Sequence, residues 1–118
     1  MRKEKTDIKI NKVLTKAVLR SADLLDIDIN TLSKIIGIST SLLLHDGVID
    51  LKSKQGEIAV EFVRICQNLF AYFQDNHNCS LWLKSPNSHF YNEVPIVLME
   101  KITGLVVVSD YLESVKYV

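Results

Sequence analysis

The sequence predicts an all-α protein, a compact multi-helix domain, because apolar residues recur at helical spacing in several separate segments. The strongest pattern steps by four, three, four and four residues and consists of Ile58, Phe62, Ile65, Leu69 and Phe73. A second apolar series covers the adjoining helix face: Ala59, Val63, Cys66 and Phe70. Because so wide an apolar arc exceeds what one flanking helix needs, we expect a central helix from about Gln55. One side should face the N-terminal helices and the other a C-terminal lobe or a second subunit, which makes a homodimer an expectation.

A first helix is predicted from Ile10, after a charged and frayed lead-in. Its apolar residues recur at helical spacing: Val13, Leu14, Ala17, Val18, Leu24 and Leu25. Lys12, Lys16 and Arg20 form a separate stripe, four residues apart. Basic residues on one helix face are typical of DNA binding through phosphates. An ordinary solvated face has the same pattern, and acidic residues further along dilute the charge, so both interpretations stay open.

The segment after this helix has the layout of a helix-turn-helix. Leu32, Ile35 and Ile36 predict a helix of about two turns, with Asn30 as its N-cap. Gly37 permits the positive φ of a tight corner, and Ser39 can cap the next helix. In a helix-turn-helix the second helix enters the DNA major groove. Its only hydrogen-bonding side chains here are Thr40, Ser41 and His45. The second helix lacks Arg, Lys, Asn and Gln, the residues that usually contact base edges. The sequence therefore supports a helix-turn-helix fold better than it supports sequence-specific DNA binding.

Composition and charge exclude several classes of protein. The chain has 118 residues, 47% hydrophobic and 24% charged, as a folded globular domain does. The chain has fourteen basic and fourteen acidic residues, so it has no net positive charge that would attract it to nucleic acid. No apolar run is long enough to span a membrane, and no signal peptide is recognisable, so we expect a cytoplasmic protein. Cys66 and Cys79 lack metal-ligand spacing and should be reduced core residues.

The C-terminal part is organised around Trp82-Leu83-Lys84-Ser85-Pro86-Asn87. Pro86 disfavours helical backbone at the residue before it, so Trp82 should lie in the last turn of a short helix and pack in the core. Val94-Pro95 opens a helix, and Gly104 lets helices approach closely. The run from Leu105 to Val108 is β-branched enough for a strand, but Val108, Leu112 and Val115 favour a helix from about Leu105 to Lys116.

These motifs resemble the toxin-binding domain of the Xre/MbcA/ParS antitoxins of type II toxin-antitoxin systems. The resemblance is carried by the Trp82–Asn87 hexapeptide and by the spacing from Pro95 to Gly104, and it covers roughly the last forty residues. One departure is the turn His89-Phe90-Tyr91-Asn92-Glu93, which replaces a small glycine-containing turn. With the helix-turn-helix layout and the long helix from about Gln55, we expect two regions: a helix-turn-helix (Xre-like) region, 1–54, and a central helix with C-terminal toxin-binding helices, 55–118.

The resemblance implies an antitoxin that sterically blocks a cognate RES-domain toxin, an enzyme that acts on NAD, and that also represses its own operon. Carried over by position, the toxin-binding residues are Pro95, Leu98, Leu112, Val115, Tyr117 and Val118. Trp82, Pro86, Gly37 and Gly104 are given structural roles. The alternative is a small dimeric helix-turn-helix regulator, binding operator DNA through the basic stripe, with no toxin partner. No phosphate loop, catalytic constellation, metal site or cofactor site is predicted.

Overall fold

The computed structural model describes residues 2–116, with side chains from Thr6 onward. This part of the chain contains seven α-helices and no strand, which confirms the all-α prediction. The helices are α1 (Arg2–Leu24), α2 (Ile29–Ile36), α3 (Thr40–Leu44), α4 (Lys54–Phe73), α5 (Asn76–Lys84), α6 (Pro95–Leu98) and α7 (Ile102–Val115). A short 3-10 helix, Ser88–Phe90, lies between α5 and α6.

Helix α4 is the centre of the fold. Phe62, Ile65 and Leu69 are completely buried, and α4 packs against α1 and α2 as well as against α5 and α7. Its N-terminus is capped by Ser53, whose Oγ accepts a hydrogen bond of 3.0 Å from the Gly56 N–H. Helices of the same chain bury five residues of the wide apolar arc and leave four half-buried, Ile58, Val63, Phe70 and Phe73. The arc alone therefore does not require a second subunit, and the homodimer stays an expectation.

Helix α1 begins at Arg2, so the expectation of a frayed lead-in before Ile10 was wrong. The first residues are rich in Lys, Arg and Glu, which have high helix propensity and need no apolar periodicity to continue a helix. One face of α1 packs into the core through Leu14, Val18, Ala22 and Leu25. On that same side Thr15 Oγ1 accepts a hydrogen bond from the Ile49 N–H at 2.9 Å and fixes the loop before α4.

The corner between α2 and α3 has the predicted chemistry. Gly37 has φ of 80° and its N–H bonds to the carbonyl of Ser33, while Ser39 Oγ accepts from the Leu42 N–H. The N-cap of α2 is Asp28, so the assignment of Asn30 was wrong. The Thr31 N–H donates to the Asp28 carboxylate at 2.8 Å, and this backbone hydrogen bond lowers the pKa of Asp28. Helix α3 has only five residues.

The C-terminal helices are divided differently from the prediction. The helix opened by Pro95 ends after a single turn, and α7 begins at Ile102 instead of Leu105. Gly104 lies inside the first turn of α7 against the end of α6. A Cβ atom there would lie 2.0 Å from the carbonyl oxygen of Leu98. Gly104 therefore has the close-packing role expected of it, because any side chain would push α6 away from α7.

Both cysteines are buried and free, as expected of core residues. Burial, with a smaller contribution from Cys79, raises the pKa of the Cys66 thiol to about 12. A thiol with so high a pKa stays protonated at neutral pH and is a poor nucleophile.

We expect Gly104→Ala to destabilise the fold by about 1–3 kcal/mol, the usual cost of overpacking. Gly37→Ala is the matched control. A Cβ atom at this position would make only an ordinary van der Waals contact, at 4.0 Å, so its cost of about 1 kcal/mol comes from the positive φ of the residue. Urea unfolding followed by circular dichroism compares the two variants. A Gly104→Ala protein as stable as the wild type would contradict the close approach of α6 and α7.

Candidate functional site

The Trp82–Asn87 hexapeptide forms a corner between α5 and the following turn. Trp82 lies in the last turn of α5, and Ser85 ends the helix in extended backbone before Pro86, as predicted. The side chain of Asn87 accepts a hydrogen bond of 2.8 Å from the His89 N–H, and its backbone N–H donates to the carbonyl of Glu93 at 3.1 Å. These two bonds close the turn and direct the chain into α6.

An aromatic cluster links this corner to α7. The rings of Trp82 and Tyr111 are stacked, with centroids 6.3 Å apart and planes 12° apart. Phe90 is buried and meets both rings edge-on, at 6.1 Å from Trp82 and 5.3 Å from Tyr111. The imidazole of His89 lies 4.0 Å from the Tyr111 ring. The half-buried Trp82 thus packs against the core and fixes α7 at Tyr111.

The turn that departs from the antitoxin pattern has left-handed backbone where glycine is favoured. Tyr91 and Asn92 have φ of 56° and 67°. Asparagine tolerates this region better than most residues, whereas tyrosine pays a steric cost for it. The Tyr91 side chain is exposed and contributes nothing to the core. The chain therefore keeps a glycine-type turn without a glycine.

Polar contacts set the position of α7 on α4. Ser109 Oγ donates to Glu61 Oε2 at 2.8 Å, and Asn68 Nδ2 donates to Glu113 Oε1 at 3.0 Å. The hydrogen bond from Asn68, with a smaller contribution from Lys116, lowers the pKa of Glu113. Directional bonds at two levels of the helix pair fix the register of α7, which apolar packing alone would leave looser.

A cleft of about 220 Å³ opens between the C-terminal ends of α4 and α7. Its lining residues are Tyr72, Phe73, Trp82, Tyr111, Leu112 and Val115. On α7, Val107, Tyr111 and Val115 are spaced by four residues and therefore share one helix face. We call these three residues the α7 stripe. Val107 is 51% exposed, while Tyr111 and Val115 are half-buried beside the cleft.

The structure separates the toxin-binding residues expected from the sequence into different environments. Pro95 and Leu112 are buried, and Leu98 is half-buried with its carbonyl against Gly104. Val115 is half-buried at the cleft. Tyr117 and Val118 lie outside the described residues. Among the described residues of this set, Val115 lines the cleft and is accessible to a partner there.

Sequence reasoning missed a group of apolar residues that are exposed on α6 and α7: Val97, Ile102, Val106 and Val107. They lie off the face carried by Val108 and Leu112, which was the face used to predict the helix. The available indication was that α7 is apolar on more than its core-facing side, which is unusual for a helix that faces water. Thr103, Asp110 and Ser114 form the polar strip between Val106 and Val107.

The expected DNA-binding residues are largely accessible. Lys12, Lys16 and Arg20 are exposed on α1, and Lys12 and Lys16 line a shallow pocket with Asp46, Gly47 and Val48. Ser41 and His45 are exposed at α3, and Thr40 is half-buried. Leu42 and Leu44 are exposed beside them, so the accessible surface of α3 carries apolar as well as polar side chains.

Among the described residues, no group of three or more His, Cys, Asp or Glu side chains is arranged to hold a metal ion. None of the helices described is long and apolar enough to cross a membrane. What the C-terminal lobe offers, from α5 to α7, is an apolar and aromatic surface suited to binding another protein.

We expect Trp82→Ala to lower the free energy of unfolding by about 2–3 kcal/mol, somewhat less than truncation of a fully buried tryptophan. The reason is loss of the stacking on Tyr111 and of the packing against Phe90. Leu81→Ala is the control, since this neighbouring side chain is exposed and its removal should change stability by no more than about 0.5 kcal/mol. Thermal and urea unfolding measure both, and equal costs would contradict the linking role of Trp82.

Residues 68–117 match the family model of the antitoxin Xre/MbcA/ParS C-terminal toxin-binding domain. A search of curated proteins found no match. The matched segment contains the end of α4, the hexapeptide corner, the aromatic cluster and the α7 stripe. Residues 68–117 are therefore similar to the C-terminal toxin-binding domains of the Xre/MbcA/ParS antitoxins.

Proposed function

We propose that this protein is an antitoxin that binds its cognate toxin through the α7 stripe and the adjoining cleft. The observation that carries the proposal is the accessible apolar face of α7, formed by Val107, Tyr111 and Val115, within the segment that matches a toxin-binding domain. Aromatic and apolar anchors at the centre of a contact surface supply most of the binding energy in protein interfaces. The stripe ends close to the last residues of the sequence.

The roles of the sequence-predicted residues follow from their burial. Pro95 and Leu112 support the surface from within the core, since they have little area to offer a partner. Val115 lines the cleft and is proposed as a direct contact. Tyr117 and Val118 follow Val115 and Lys116 in the sequence and remain proposed contacts. Leu98 positions α6 against α7 through the close approach at Gly104.

The toxin class is proposed from the resemblance: a RES-domain enzyme that acts on NAD. Inhibition is steric, with the C-terminal residues of the antitoxin covering the entrance of the NAD pocket. This mechanism requires no catalytic group and no cofactor on the antitoxin. The surface chemistry is compatible with this steric mechanism. Because the α7 stripe is uncharged, it suits contact with apolar residues around the entrance of an active site better than contact with a phosphate group.

We expect Val107→Asp to weaken toxin binding at least tenfold, because it places a charge on an interface that binding would desolvate. Val48→Asp is the matched control: Val48 is 42% exposed on the loop after α3 and outside the matched domain. The measurements are co-purification with the toxin encoded beside the gene and rescue of growth during toxin expression. Circular dichroism verifies that both variants are folded.

The proposal would be overturned if the wild-type protein neither co-purifies with that toxin nor restores growth. If the wild type binds and Val107→Asp binds equally well, the antitoxin role stands and the α7 stripe is the wrong surface. A NAD-consumption assay of the toxin, with and without the antitoxin, tests the RES assignment separately.

A second candidate function is operator binding through the helix-turn-helix region. The observation in its favour is that exposed Lys12 and Lys16 lie beside the loop after α3, so one duplex could contact both α1 and α3. Against it, α3 is short and exposes Leu42 and Leu44 to the solvent. Binding by this surface would rest on phosphate contacts with little base reading.

We expect the affinity for the upstream DNA to fall steeply as the salt concentration rises. The slope of the logarithm of the binding constant against the logarithm of the salt concentration should become smaller by about one in each of three variants: Lys12→Ala, Lys16→Ala and Arg20→Ala. Lys101→Ala, an exposed lysine of the C-terminal lobe, should leave the slope unchanged. Fluorescence anisotropy between low and moderate salt measures these slopes. Absence of binding at low salt would remove this function and leave the toxin-binding proposal intact.

A further inference from the structure

One aromatic side chain of the C-terminal lobe lies almost entirely in solvent. Tyr91 is 95% exposed, the largest value among the exposed large hydrophobic side chains of the described residues. Its backbone has φ of 56°, in the left-handed region, which is sterically unfavourable for a residue as bulky as tyrosine. Glycine or asparagine would occupy this position at a lower cost. The fold therefore gives no reason for a tyrosine here.

The backbone of the turn is held without help from this side chain. The Asn92 N–H donates to the carbonyl of Asn87 at 2.9 Å, and the Glu93 N–H donates to the carbonyl of Phe90 at 3.0 Å. The bond from the Asn87 N–H to the carbonyl of Glu93, at 3.1 Å, closes the turn around Tyr91. The phenol ring therefore projects from a turn whose backbone is already ordered.

The turn adjoins the α7 stripe. His89 is exposed, and its imidazole lies 4.0 Å from the ring of Tyr111, a member of the stripe. His89 and Tyr91 are two residues apart, so their Cα atoms are at most about 7.6 Å from each other. A partner that covers about 800 Å², the usual area on each side of a stable complex, is therefore large enough to contact the stripe and the turn together.

The charges around the turn indicate what kind of partner fits it. Residues 85–100 contain no Lys or Arg, and both of their acidic residues, Glu93 and Glu100, are exposed. A surface of this charge repels phosphates and attracts basic side chains. An exposed tyrosine ring also attracts an arginine or lysine placed over its face. The turn therefore fits an apolar pocket bordered by basic residues and does not fit nucleic acid.

We propose that Tyr91 is a specificity-determining contact of the antitoxin, whose ring enters an apolar pocket of the toxin bordered by arginine or lysine. This inference rests on the proposed toxin-binding function and adds a second contact to the α7 stripe. Tyrosine is frequent among the residues that contribute most to protein interfaces. Its ring offers a large contact area, and only two side-chain torsions lose freedom on binding. A strained residue kept for contact predicts opposite effects of its substitution on stability and on binding.

Tyr91→Gly tests the contact. We expect its melting temperature to equal that of the wild type or to be a few degrees higher, since glycine has no Cβ atom to oppose the positive φ. Its affinity for the toxin encoded beside the gene should be at least about tenfold lower, because the anchoring ring is lost. Differential scanning calorimetry and surface plasmon resonance measure the two quantities on the full chain.

Two further variants separate the ring from the backbone. Asn92→Gly is the matched control, because Asn92 is exposed in the same turn and has φ of 67°. Its stability and its affinity for the toxin should stay close to those of the wild type. Tyr91→Phe keeps the ring and should retain the affinity within about threefold.

The basic border of the pocket is tested by charge. Glu93→Gln should lower the affinity for the toxin about threefold at low salt and less at high salt, because ions screen the attraction to basic residues. Glu57→Gln is the control: it removes an exposed negative charge outside the matched segment and should leave the affinity unchanged. Equal affinities of Glu93→Gln and the wild type at low salt would contradict the basic border.

The contact is overturned if Tyr91→Gly binds the toxin as tightly as the wild type, or if Asn92→Gly loses as much affinity as Tyr91→Gly. It is also overturned if Tyr91→Gly changes only the self-association of the free protein in sedimentation velocity, since the ring would then contact a second copy. A wild type that binds no toxin would overturn the proposed function as well. A wild type that binds, matched by Tyr91→Gly, overturns this inference alone.

Discussion

Burial of α4 on both of its sides is the constraint on which the rest of the structure depends. Phe62, Ile65 and Leu69 lose all contact with water only because α1 and α2 cover one side and α5 and α7 the other. Each flanking helix has one core face and keeps its opposite face for solvent or for partners. On α7 the accessible side is largely apolar, and it carries the toxin-binding proposal made above. The position of the central helix thus determines which surfaces remain available.

The polar contacts determine orientation where apolar packing does not. The bonds from Ser109 to Glu61 and from Asn68 to Glu113 fix α7 along α4, and the stacking of Trp82 on Tyr111 fixes it relative to the hexapeptide corner. Such directional contacts position the α7 stripe beside its cleft. A preformed binding surface loses less conformational entropy on association than a flexible one.

Helical periodicity predicted the fold well, because the residues on the buried face of a helix recur in the sequence at helical spacing. The long helix, the Gly37 corner, the Ser39 cap and the end of α5 at Ser85 were all predicted from local rules. Local rules failed where several residues compete for one role. Asp28 and Asn30 are both good N-cap residues, and only the three-dimensional packing of α2 decides between them.

The candidate site was less predictable for a different physical reason. Apolar spacing identifies the residues that face the core, so a site chosen by that criterion includes core residues such as Pro95 and Leu112. The exposed Val106 and Val107 have the same chemistry as buried valines. Only the positions of the neighbouring helices reveal which apolar residues remain accessible.

The start of the matched segment at Asn68 has a consequence for the modularity of the protein. Asn68 lies within α4, more than half-way along a helix whose earlier turns pack on α1 and α2. A cut at this boundary would sever a continuous hydrogen-bonded helix and leave Phe62 and Ile65 with half of their covering layer. The matched segment is therefore not a structural unit separate from the N-terminal helices. The N-terminal helices and the C-terminal lobe are therefore joined by one continuous helix and share a single core.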